Sequence, residues 1–210
     1  MLRILAVALV ALVLPIDLAI GQANLVAGQQ TYDQVCAGCH GFAAEGNALV
    51  SAPRLAGADA WYLERQMRNF STGVRGEQAG DPLAWRMARM TQAIGDDREL
   101  ADVVRYITRL PMADFDDTVA GDVEAGEQQY ALCAACHGRD GRGNEALGAP
   151  SLVSLDDWYL VEQLRLYAEG LRGAHPQDNY GQQMRAIAGT FADQQTRQDI
   201  AAYVNTLRSD

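Results

Sequence analysis

The 210-residue chain contains no lysine: all 17 of its positive side chains are arginine. Acids outnumber them at 27, so the formal charge is -10, and a binder of the phosphate backbone, which needs a basic face, is excluded. Cysteine and histidine are nearly as scarce, at four and three. Four cysteines in a chain of this length are too few for a disulfide scaffold, and their paired spacing points elsewhere. No alternating strand or hairpin pattern stands out. One apolar run is present, Ile4 to Ile16, interrupted only by Pro15 and closed by Asp17. It is shorter than the roughly 20 residues that span a bilayer. With Arg3 before it and Ala19, Gly21 and Ala23 after it, residues 1–23 read as an export signal; an uncleaved anchor is the competing reading. The mature protein is therefore expected in the periplasm, where idle thiols oxidise.

The remaining chain is a duplication. At an offset of 97, Cys36, Cys39 and His40 fall on Cys133, Cys136 and His137, and Pro53 falls on Pro150. Trp61-Tyr62-Leu63 meets Trp158-Tyr159-Leu160, and Gln66, Gly73, Arg75 and Met87 meet Gln163, Gly170, Arg172 and Met184. Upstream the offset becomes 98, with Gly28 on Gly126 and Tyr32 on Tyr130, so the first copy carries one extra residue just before its cysteines. Two copies make a tandem domain pair and not a repeat array. Domain one is placed at 24–110, a linker at 111–123, and domain two at 124–210. Pro111 and an acidic run mark the linker. Helical spacing in Leu100, Val103, Val104 and Ile107, and again in Ile200, Val204 and Leu207, makes the fold class all-α. Asp96 and Asp97 fall near the start of the first of these helices, where negative charge is favoured. Domains of this size usually need a staple or a prosthetic group to complete a core.

Cys36-Ala-Gly-Cys39-His40 and Cys133-Ala-Ala-Cys136-His137 have the form of c-type haem attachment sites. Two thiols on one helical turn can each bond one edge of a porphyrin, and the next histidine then reaches the iron. Zinc would want a second ligand pair nearby, and a thioredoxin-like pair would lack the adjacent histidine. The expected cofactors are two covalently bound haem c groups, with His40 and His137 as iron ligands. A second ligand must come from each repeat. Met87 and Met184 are the pair of methionines, the initiator aside, that superimpose, and a thioether favours ferrous iron, as electron transfer requires. Met90 is the local rival of Met87, one turn on, while Met67 and Met112 read as packing residues. His175 faces Gln78 in the repeat and reads as a loop residue. Pro53 and Pro150, each 13 residues past its histidine, are candidates to accept from the second ring nitrogen through their carbonyls. Trp61 and Trp158 read either as core or as haem neighbours. Arg75 and Arg172 read either as partners of haem propionates or as solvated side chains.

Together these features resemble the cytochrome c4 family, di-haem proteins built from two tandem class I cytochrome c domains. The resemblance covers the mature chain: Gly28 and Gly126, Pro53-x-Leu55 and Pro150-x-Leu152, Trp-Tyr-Leu-x-x-Gln, and Met184-Arg-x-Ile-Ala. Met87-Ala-Arg-Met90 departs from the last of these. The resemblance implies two haem domains packed with pseudo-twofold symmetry. It also implies an electron carrier, not an enzyme, that serves a respiratory chain. Its expected partners are redox proteins: a quinol-oxidising complex or dehydrogenase as donor, a terminal oxidase or reductase as acceptor. No nucleic acid is expected, and a peripheral contact with the membrane stays open. Two other readings share the motifs: a cytochrome subunit of a larger dehydrogenase, such as a flavocytochrome, and a di-haem peroxidase. The peroxidase would need an open iron position, against which the repeated methionine speaks. The acidity lies in the linker and second half, so partners are expected to meet the two domains by different faces.

Overall fold

The computed structural model describes residues 24–112, 116–191 and 193–209, and the proposed export signal lies outside them. Those residues form helices and connecting loops; among them the only β-type pairings are two isolated bridges, Asn47 with Ala52 and Asn144 with Ala149. Helix α1 (Leu25–Thr31) runs through a π-turn (Tyr32–Cys36) into α2 (Ala37–His40). Then come α3 (Ala60–Ser71), α4 (Pro82–Thr91) and α5 (Asp97–Ile107). The second copy repeats them as α6 (Val123–His137), α7 (Asp157–Ala168), α8 (Asn179–Ala188) and α9 (Gln194–Thr206). The extra residue of copy one is absorbed by the π-turn, in which the N–H of Ala37 reaches back to the carbonyl of Tyr32. A π-turn widens the helix by one residue and so keeps both ends in register. Tyr32 can then donate to the carbonyl of Gly41 at 2.6 Å, as Tyr130 does to Gly138 at 2.8 Å.

Each domain is built on a close crossing of its first and last helices. A Cβ on Gly28 would stand 2.1 Å from the carbonyl oxygen of Asp102, and one on Gly126 2.0 Å from that of Asp199. Only a residue without a side chain permits that approach. The two buried aspartates also tie down the entering chain. Asp102 Oδ1 accepts from the N–H of Asn24 at 2.6 Å, and Asp199 Oδ1 from that of Asp122 at 2.8 Å. Asn24 and Asp122 in turn cap α1 and α6. Likewise Asp96 caps α5, accepting from the N–H of Glu99. The apolar faces of α3 and α5, and of α7 and α9, close the two cores around Leu63, Val103 and Ile107 and around Leu164, Ile200 and Val204.

The stretch joining the copies is held to domain two over its second half. The carboxylate of Asp157 accepts from both the N–H and hydroxyl of Thr118 at 2.6 Å, and from the N–H of Val119 at 2.8 Å. Arg208 pairs with Asp117. Asp122, inside the span assigned to the linker, is the N-cap of α6.

Candidate haem sites and the interface between them

In domain one the local fold brings the cysteine–histidine motif and the methionines into one cleft. His40 and His137 end their helices, each followed by a glycine in the left-handed region, Gly41 and Gly138, that turns the chain back. A 3₁₀ turn follows (Ala48–Val50 or Glu145–Leu147), its ends joined by the antiparallel bridge of Asn47 with Ala52 or of Asn144 with Ala149, and the chain leaving it delivers a proline carbonyl to the histidine. The Nδ1–H of His40 donates to Pro53 at 2.7 Å, and that of His137 to Pro150 at 2.8 Å. Both rings are 4% exposed, and burial pushes both below the usual histidine range. A neutral ring with Nδ1–H engaged presents the Nε2 lone pair as its free donor.

Across the cleft in domain one stand Met87 and Met90, both lining it. Met87 packs on the cluster of Phe70, Ala84 and Ala88, while Met90 is 39% exposed. Met184 occupies the same register on α8 and packs on the domain-two core. Cys36 and Cys133 are half-buried and Cys39 and Cys136 exposed, none of them in a disulfide. Burial pushes the Cys36 and Cys133 thiols up to about 11, the opposite of a zinc-binding or nucleophilic thiolate. Among the described residues no three His, Cys, Asp or Glu side chains gather as a metal site. The cleft in domain one is open to solvent and spans about 1400 Å³ with that open space included, and Leu63, Met67, Phe70, Ile94 and Ile107 are among the residues that line it. Two thiols and a histidine lie on one wall, thioethers on the other and hydrocarbon below, which fits a flat apolar macrocycle carrying its own metal. His175 sits in the loop before α8, where its Nδ1 accepts from the N–H of Gln177.

The solvated alternative for Arg75 and Arg172 is wrong. They are 7% and 4% exposed and meet across the domain interface. Arg75 donates to Gln66 of its own helix pair, and to Gln163 at 2.9 Å and Tyr159 at 3.3 Å of the other domain. Arg172 reciprocates with Gln163, and with Gln66 at 2.9 Å and Tyr62 at 3.0 Å. A second reciprocal pair flanks them: Arg54 N–H donates to Asp156, and Ser151 N–H to Asp59. Each of these hydrogen bonds is matched by its repeat equivalent, so the interface has pseudo-twofold symmetry there; the ion pair of Arg54 with Asp156 and the bond from Arg65 to the carbonyl of Gly148 are not matched. Sequence reasoning missed these roles for Gln66, Gln163, Asp59 and Asp156, although the repeat had marked Gln66 and Gln163. Neither guanidinium has a carboxylate in ionic contact among the described residues, and both Nε atoms lack a partner. Two buried like charges without an anion are costly, so this interface also fits an acidic cofactor.

The profile of the family described as cytochrome c matches residues 25–111 and 123–208. This chain belongs to the cytochrome c family. Cytochrome c4 of Azotobacter vinelandii is 32% identical over 181 residues, 80% of each chain. A protein of Stutzerimonas stutzeri named thiosulfate dehydrogenase electron acceptor is 31% identical over 186 residues, 80% of this chain and 82% of that one. Among solved structures, reduced cytochrome c4 from Pseudomonas stutzeri superimposes with a TM-score of 0.67 at 24% identity, covering 87% of this chain and 98% of that one. Thiosulfate dehydrogenase from Marichromatium purpuratum gives 0.69 at 26% identity, over 87% of this chain and 40% of that one. The all-α tandem fold is thus that of the di-haem cytochromes c4, and the cytochrome carries two covalently bound haem c groups as an electron carrier.

Proposed function

We propose that this cytochrome is a periplasmic carrier that takes electrons from a dehydrogenase and passes them towards a terminal oxidase or reductase. Its irons are held by His40 and Met87 in domain one and by His137 and Met184 in domain two, with thioether bonds at Cys36, Cys39, Cys133 and Cys136. The carrying observation is the shared register of Met87 and Met184, both packed on apolar neighbours, with Met87 lining the same cleft as His40. Met90, more exposed and matched by Ile187 in the repeat, lacks that support. Bound haem supplies a one-electron couple. The protein sets its terms: the proline carbonyls fix the histidine tautomer, the thioethers favour the reduced state, and the apolar walls exclude water. Arg75 and Arg172 supply the charge that the acidic haem side groups need. The dehydrogenase as donor is supported by the relative named for thiosulfate dehydrogenase. The export signal at 1–23 supports the periplasm, and no helix among the described residues is long and apolar enough to cross a membrane.

The far-red charge-transfer band of thioether-ligated ferric haem tests the ligand set. Met87→Ala and Met184→Ala each halve it and together abolish it, while Met90→Ala leaves it whole. A band untouched by Met87→Ala and halved by Met90→Ala moves the ligand one turn along α4. Rapid carbon monoxide binding by the reduced wild type would instead make the protein an open-site enzyme.

A further inference from the structure

Asp59 and Asp156 stand at the N-cap positions of α3 and α7, where an aspartate ordinarily accepts from the first backbone N–H groups of its own helix. Neither side chain does so. Each crosses the interface instead: Asp156 Oδ2 accepts from the N–H of Arg54 at 2.7 Å, and Asp59 Oδ2 from that of Ser151 at 2.9 Å. Those two N–H groups belong to the peptide bonds that follow Pro53 and Pro150. The carbonyls of the same two peptide bonds accept from Nδ1 of His40 at 2.7 Å and of His137 at 2.8 Å. Both peptides are trans, so their C=O and N–H point in opposite directions. In each domain one planar peptide therefore lies between the histidine and a carboxylate of the other domain. The two carboxylates differ in their surroundings. Asp156 is paired with the Arg54 guanidinium at 3.7 Å, whereas Asp59, which faces a serine there, makes no ion pair among the described residues.

We propose that Asp59 and Asp156 are positioning residues for the iron ligand of the opposite domain: through one peptide each, Asp59 orients and polarises His137, and Asp156 does so for His40. An anion that accepts from a peptide N–H makes the carbonyl of that peptide a stronger acceptor, because hydrogen bonds in a chain reinforce one another. The stronger acceptor draws on the Nδ1 proton, fixes the ring and makes Nε2 a better donor. This is the carboxylate–histidine pairing found around metal-bound histidines, lengthened by one peptide unit. No proton leaves the histidine and no charge passes between the domains. Each histidine thus owes part of its basicity to the domain that does not contain it. Adhesion between the domains would explain a bond across the interface. It does not require that the N–H taken be the one whose carbonyl serves the histidine, nor that two N-cap side chains forgo their own helices to take it.

This inference rests on the proposed ligands His40 and His137, and the test separates the two. NMR of the reduced, ¹⁵N-histidine-labelled holoprotein follows the Nδ1–H of each of the two, assigned through its own backbone, while a redox titration gives the midpoint of each haem. Asp59→Asn keeps an acceptor and removes the charge. It moves the Nδ1–H of His137 upfield and raises the midpoint of the domain-two haem, and it leaves the Nδ1–H of His40 in place. Asp59→Ala produces a larger shift of the same sign. Asp156→Asn makes the same demand independently: it moves His40 and spares His137, by a smaller shift because Arg54 already counters that carboxylate. The inference is overturned if Asp59→Asn leaves the His137 Nδ1–H where it was, even with an altered midpoint, since a field acting through space would do as much. Equal shifts of both histidines would also overturn it, as the mark of carboxylates that only hold the domains together. A wild-type His40 or His137 with a proton on Nε2 would overturn the ligand set instead.

Discussion

The two domains share a scaffold and differ in how much of it stands without the cofactor. At equivalent loop positions domain one places Ala56 and Ala58 where domain two places Val153 and Leu155. Domain two gathers 13 buried apolar residues in one cluster, whereas domain one divides its own between a cluster of nine and a separate one of three, Phe70, Ala84 and Ala88. Domain two also clasps the linker through Asp157, whose repeat equivalent is Ala60. Domain one carries a π-turn where α6 runs unbroken. The comparison teaches that duplication preserved the haem-holding geometry and the helix crossing while the supporting core diverged. The apolar core of domain one is split in two where that of domain two is continuous, so domain one should lean more on its prosthetic group.

The largest effect expected from breaking this comparison is one that treats the domains alike. Gly28→Ala and Gly126→Ala drive a methyl into the backbone of the facing helix, and each should cost about 3 kcal/mol, the upper end for overpacking. Hydrogen exchange resolved by helix should show α1 and α5 loosened by the first and α6 and α9 by the second. A loss confined to one domain would break the shared-scaffold reading.

A smaller effect should fall on domain two alone. Burial would raise the carboxyl of Asp157, yet the donors from Thr118, Val119 and Asn205 outweigh it and hold the group below the usual carboxylate range. Its contribution is therefore complete above the ordinary aspartate value and is lost as pH falls through the lower folded value. Asp157→Asn should cost about 2 kcal/mol at neutral pH, of the order found when a charged acceptor is lost. Urea melts of the variant should also lack this part of the acid sensitivity, and α1 to α5 should be unaffected.

The smallest expected effect sharpens the π-turn. Tyr32→Phe and Tyr130→Phe each remove one hydrogen bond to a glycine carbonyl, worth about 1 kcal/mol. Equal losses in thermal melts would show that the π-turn presents Tyr32 as well as the unbroken helix presents Tyr130. A clearly smaller loss for Tyr32 would mean that the inserted residue costs domain one part of that bond.

Much of the site was legible because it is local. Cysteines two apart and a histidine beside them share one helical turn whatever surrounds them, and the extra residue before Cys36 was visible as a change of offset. The proline carbonyls lie 13 residues from their histidines, within a single loop, and the repeat marked them twice. Arg75 and Arg172 were visible as a pair but not as neighbours. Their partners lie 84 to 110 residues away, and no periodicity links a residue to its contact in the other copy.

The missing lysines and scarce cysteines mark the same division. The sequence by itself determined the helices, the duplication and the chemistry of each cleft, since these follow from spacing within one copy. Only the tertiary structure decided that two of the 17 arginines are buried face to face at the pseudo-twofold axis, and that a third reaches across it. The packing of one whole domain on another sets those contacts, and burial there makes an arginine's charge matter in a way that an exposed one's does not.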